Sequence, residues 1–108
     1  MLGHIIDTER IFAYRALRIG RGDPTALPGF DENIYVQAAE VERCDWGLLL
    51  DEFIHVRRAS ILLLTRMPES AWLHTGTASG MSISLRAMVY VMIGHVAHHL
   101  DILRERYL

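Results

Sequence analysis

Apolar residues recur at helical spacing through most of this chain. Leu2, Ile5, Ile6, Phe12, Ala16 and Ile19 predict a first helix from Leu2 to about Arg18, with Gly20 and Gly22 marking its end. The next ten residues, Gly20 to Gly29, hold three glycines, Asp23, Pro24 and Pro28, and predict a loop. Asp31 is placed to cap a short helix through about Glu40, and Asp45 to cap a long one from Trp46 to about Arg66. Pro68 ends the long helix, and Pro68 to Trp72 predicts one further turn. A polar loop framed by Gly76 and Gly80 follows. Ser82 or Ser84 then caps a last helix to about Arg106, whose apolar side runs from Leu85 and Met88 through Met92 and Val96 to Leu103. No stretch alternates convincingly with period two. The pattern therefore predicts an all-α bundle.

With 108 residues the chain supports one core, so a single domain over residues 1–108 is expected. Thirteen acids face eleven bases, every base is an arginine, and the arginines are scattered rather than grouped. That distribution speaks against nucleic acid as a partner. The longest apolar run, Ala87 to Ile93, is far short of the ~20 residues a membrane span needs. Asp7 and Glu9 close behind Ile5 and Ile6 do not match a signal peptide. A lone cysteine, Cys44, excludes an internal disulfide framework and fits a reducing compartment, so a cytoplasmic location is expected. Its polar neighbours make it a passive thiol.

The chemistry concentrates in Gly94-His95-Val96-Ala97-His98-His99-Leu100. His95 and His99 stand four apart on one helix, which places both imidazoles on one side, a turn apart. Met88, Val91, Met92 and Ile102 lie on nearly the same stripe, so the pair is expected to point inward. Inward imidazoles either share a metal ion or are core histidines satisfied by carbonyls or carboxylates, and the pair alone leaves both open. A metal needs a further ligand at the same depth. His4, on the first helix with Thr8 and Ile11 on its stripe, is the best placed; His55, flanked by Arg57 and Arg58, and His74, in a loop, compete less well. His98, about 60° round the helix from His95, reads as a residue that supports the ligands from behind or lies at the surface. Asp7, one turn from His4, is a candidate to orient an imidazole or approach the metal, whereas Glu9 is expected to pair with Arg10 or stay at the surface.

Three stretches together resemble the DinB-like superfamily: Gly3-His4-Ile5-Ile6-Asp7-Thr8-Glu9-Arg10-Ile11-Phe12, the loop Gly22-Asp23-Pro24 with Pro28-Gly29-Phe30-Asp31-Glu32, and Gly94 to His99 with Leu103-Arg104-Glu105-Arg106-Tyr107. The resemblance spans nearly the whole chain. It implies an up-down four-helix bundle holding a divalent metal, commonly zinc or nickel, through one histidine of the second long helix and an HxxxH pair of the last. On this sequence those positions are His4, His95 and His99. Such proteins usually carry a further long helix before the first histidine, so the chain is expected to be truncated at the N-terminus relative to that pattern.

The resemblance further implies thiol chemistry, because characterised relatives include transferases and isomerases that use low-molecular-weight thiols. The leading expectation is a metal-dependent thiol S-transferase acting on a small electrophile. A non-catalytic, metal-stabilised interaction module and a metal-dependent hydrolase are the alternatives. Three long helices do not close a four-helix core, and the apolar sides of the first and last helices predict a two-fold homodimer in which the first helix of a second copy fills the gap.

Overall fold

The computed structural model describes residues 1–107; the side chains of Leu100, Ile102, Leu103, Arg104, Arg106 and Tyr107 lie outside the described residues, and with them the expected inward positions Ile102 and Leu103. Among the described residues there are four α-helices: α1 (Leu2–Gly20), α2 (Glu32–Ala39), α3 (Trp46–Thr65) and α4 (Leu85–Tyr107). Short 3-10 turns at Val41–Arg43 and Glu69–Leu73 follow α2 and α3. The caps match the sequence chemistry. Asp31 accepts from the amides of Asn33 and Ile34, Asp45 from that of Leu48, and the Ser84 hydroxyl from that of Ala87.

The first helix runs two residues further than its pattern predicts. Gly20 lies inside it, where a Cβ would stand 2.6 Å from the Met67 methyl. Termination falls to Gly22, which adopts φ +75°. Its amide donates to the Ile19 carbonyl at 2.9 Å, and that of Asp23 reaches back to Arg18 at 3.0 Å. These two bonds form a Schellman cap, which needs a residue free to take the left-handed conformation.

The expected polar loop before α4 is instead an antiparallel hairpin, β1 (Thr75–Ala78) with β2 (Met81–Ser84). Ser79 and Gly80 make its two-residue turn with φ +52° and +78°, the sign that matches the twist of paired strands. Strands of four residues, with Thr, Gly, Ser and Ala at most positions, carry too little apolar alternation to register as a period-two pattern. Leu27 extends this small sheet: its amide donates to Thr77 at 2.8 Å, and its carbonyl accepts from Ser79 at 3.0 Å. The glycine-rich loop is thereby tied down at its centre.

Packing is organised around α1, which packs against α3, α4 and α2, the last meeting it beside His4 and Asp7. Ile5, Ile6, Ala16 and Ile19 are buried along its length. The largest apolar cluster sits at the C-terminal end of α1, where Ala16 and Ile19 meet Leu27, Met67, Leu85 and Met88. The apolar side of α1 is therefore covered within one chain, contrary to the expectation that it stays open for a second copy. Exposed apolar residues fall instead on α3 (Leu48, Ile54, Ile61, Leu62) and α4 (Tyr90, Val91, Ile93). Val91 was expected on the inward stripe, but Leu85, Met88 and Met92 fill the line facing α1 and leave Val91 on an uncovered flank.

Candidate metal centre

His4 enters from the first turn of α1, and His95 and His99 from consecutive turns of α4. The packing of these two helices brings the three half-buried imidazoles into one group. The Nε2 atoms of His4 and His95 are 3.2 Å apart, as are those of His95 and His99. Ring centroids lie 4.5 to 5.1 Å apart with the planes steeply inclined, so lone pairs rather than ring faces converge. Nitrogen ligands about 2.0–2.1 Å from a tetrahedral ion are themselves about 3.3 Å apart, which this spacing meets. Hydrogen bonding among neutral rings accounts for it less well. Nε2 of His95 faces two nitrogens at equal distance but has either one proton or one lone pair.

The environment favours neutral imidazoles. Burial holds His95 below the ordinary value near 6.5, the adjacent His99 and His4 push it the same way, and Glu32 partly opposes them. His99 is also lowered, first by burial and then by His4 and His98, again against Glu32. A neutral imidazole is the ligating form.

Around the rings, the Thr8 hydroxyl stands 3.4 Å from Nδ1 of His4, and Thr8 is fully buried. The Phe12 ring meets the edge of His95 with centroids 5.7 Å apart. Nδ1 of His99 is buried and has no partner among the described residues. Asp7 falls outside the histidine group but lines the adjoining pocket of about 210 Å³ together with His4, His99, Tyr35, Val36 and Val41. Gly3 lets Val41 come that close to α1, since a Cβ there would stand inside van der Waals contact with its side chain. A larger concavity of about 610 Å³, between Trp72 and Tyr90, is lined by none of the histidines.

The other histidines lie elsewhere. His55 is exposed, with Nδ1 2.7 Å from the Asp51 carbonyl. His74 packs against the end of α1, Nδ1 3.3 Å from the Gly20 carbonyl. His98 is exposed on α4 with its ring inclined to that of His99, centroids 5.5 Å apart, and Cys44 is exposed. Glu9 departs from its expectation. It is 3 % exposed and faces Arg57 of α3, whose Nη2 donates to Oε1 at 3.0 Å. Nε and Oε2 are 2.9 Å apart, close enough for an ion pair though out of line for a second hydrogen bond. Arg10 pairs with Glu52 instead. A helix packed on both sides has no surface-facing stripe at position 9. The role of Thr8 was readable from its i, i+4 spacing to His4, whereas the burial of Glu9 was not, because its partner is 48 residues away.

The model of a family described as the DinB superfamily matches residues 1–103 of the chain. No curated protein and no solved structure matches it.

Proposed function

The chain belongs to the DinB superfamily, and from that premise we propose that His4, His95 and His99 hold a divalent metal ion, zinc or nickel, in a metal-dependent thiol S-transferase acting on a small electrophile. The observation that carries this reading is the convergence of three imidazoles from two helices, with Nε2 of His95 3.2 Å from that of His4 and 3.2 Å from that of His99. When bound, such an ion supplies a positive charge that stabilises a thiolate near neutral pH. Three protein ligands leave a coordination position open, as catalytic sites require.

The chain's own residues serve this chemistry in distinct ways. With Nε2 of His4 on the ion, Nδ1 carries the ring proton, and the Thr8 hydroxyl 3.4 Å away is placed to accept it. Val36, Ala39 and Val41 wall the adjoining pocket with apolar surface and limit the water reaching the imidazoles. Asp7 places the carboxylate in that lining and is positioned to accept a proton or to hold a cationic group of an incoming molecule.

The test is metal content of the purified protein together with a thermal-shift screen against small thiols, followed by turnover of a thiol with an electrophile such as 1-chloro-2,4-dinitrobenzene. Stoichiometric metal and a thiol-dependent rise in melting temperature support the transferase. Unfolding on chelation with no thiol response favours a metal-stabilised interaction module. Turnover without any thiol favours a hydrolase.

The exposed apolar faces of α3 and α4 support one statement about assembly. We propose that a second copy covers them in a symmetric homodimer, because an uncovered apolar surface of this extent is unusual on a monomer.

A further inference from the structure

Arg15 of α1 is 7 % exposed, yet no carboxylate among the described residues pairs with it. Burying an uncompensated cation is costly, and in this chain the neighbouring cases are compensated: Arg57 has Glu9, and Arg18 has Asp23. Among the described residues Arg15 has only neutral acceptors. Its Nη2 donates to the Pro28 carbonyl at 2.9 Å and to the Ser79 hydroxyl at 3.2 Å. The rings of Phe12 and Phe30 each lie 5.8 Å from the guanidinium carbon and add a weak attraction.

Nη1 and Nε have no hydrogen-bond partner among the described residues, and neither belongs to the sealed polar atoms of the interior. Arg15 lines a pocket of about 290 Å³ together with Arg10, Leu27, Phe30 and Tyr35. No acidic side chain lines it, and burial without a counter-charge pulls the guanidinium below its ordinary value.

We propose that this pocket is an anion-binding subsite in which Arg15 takes the carboxylate of a small organic acid, whose apolar body rests against Leu27, Phe30 and Tyr35. A monoanion matches the single uncompensated charge, since Arg10 is already neutralised by Glu52. Tyr35 also walls the pocket beside His4 and His99, so the two pockets are neighbours. An acid anchored at Arg15 sits next to the metal centre proposed above; that placement rests on the metal reading, whereas the anion site does not.

The test is a titration of the isotopically labelled protein with benzoate, with neutral benzamide and with inorganic phosphate, followed by backbone amide resonances in metal-loaded and chelator-treated samples. Benzoate is expected to bind saturably and shift the amides of Gly29, Phe30 and Tyr35 in both samples, with benzamide at least about tenfold weaker, as loss of a charged hydrogen bond requires. Arg15→Gln keeps donors for Pro28 and Ser79, and it is expected to weaken benzoate by a similar factor while its spectrum stays folded. If that variant does not fold, the comparison of benzoate with benzamide on the unaltered protein decides. Equal binding of the two, no saturable benzoate binding, or preference for phosphate overturns the proposal. So does benzoate binding that vanishes on chelation and shifts only residues around His4 and His99, which would make benzoate a metal ligand. Failure of metal loading with benzoate binding intact would instead count against the metal reading alone.

Discussion

Thr8 and His4 lie one turn apart on α1, with the hydroxyl 3.4 Å from the imidazole Nδ1 in a fully buried position. A hydroxyl in that place can accept from Nδ1–H and so orient the nitrogen that faces His95. Thr8→Val keeps the shape and removes the acceptor, and it is expected to weaken metal binding by about 10- to 100-fold with little change in fold. Thr8→Ser should restore most of the loss. Competition with a chromogenic chelator measures both; unchanged affinity in Thr8→Val would show that the ring is oriented by packing alone.

His99 and His74 separate the centre from the scaffold. His99→Ala is expected to abolish stoichiometric metal binding. His74→Ala should leave metal content intact and cost about 1 kcal/mol of stability through the lost contact with the Gly20 carbonyl. Elemental analysis and denaturant melts of the two variants distinguish these outcomes, and equal metal loss from both would mean the centre is elsewhere.

Much of this was legible in the sequence. Asp31, Asp45 and Ser84 announced their helices through side chains that cap the next turn, and the histidine group followed from i, i+4 spacing plus one residue on a second helix. The hairpin was hidden because Thr75 to Ser84 is polar and short, so its order comes from Ser79-Gly80 and from pairing with Leu27. The burial of Glu9 and Arg15 was hidden for another reason. Local periodicity describes which residues share a stripe, not how many stripes of a helix other elements will cover, and α1 is covered on several sides.

Burial of Glu9 beside Arg57 predicts an asymmetric mutational response. Glu9→Ala leaves Arg57 without its partner and is expected to cost about 2–3 kcal/mol, less than a fully buried pair because the Arg57 side chain remains partly wet. The double substitution Glu9→Met with Arg57→Met should recover most of that loss. Denaturant unfolding of the single and double variants provides the cycle, and additive losses would show that the two groups do not interact.

Acid should weaken the metal-free protein through His95 and His99. Both titrate below the ordinary histidine value in the folded state, chiefly because burial disfavours the charged form. Between that lowered value and the unfolded value near 6.5, the unfolded chain binds more protons. Their contribution is therefore complete above about pH 6.5 and is lost as the pH falls through the folded values. Melting temperatures in chelator across roughly pH 5 to 8 should decline on the acid side, and His95→Gln with His99→Gln should flatten the decline. A slope unchanged by the double substitution would assign it to other groups.

Leu62 and Leu48 on α3 are 67 % and 68 % exposed, and Tyr90 and Ile93 on α4 are 71 % and 55 % exposed, although both helices pack on α1 through their opposite sides. Each helix therefore carries apolar residues on two faces but covers only one within the chain. A second copy offers the same unsatisfied faces, and a two-fold axis pairs them without leaving a free edge. An apolar interface built this way belongs to the obligate class, at or above about 2,000 Å² in total, so dissociation and unfolding are linked. The melting temperature is expected to rise with protein concentration over the micromolar range, and light scattering after size exclusion should give twice the chain mass. Leu62→Glu on α3 places a charge on the covered face and should shift the population to monomer while lowering the melting temperature. Monomeric mass at high micromolar concentration, with a melting temperature independent of concentration, would refute the dimer.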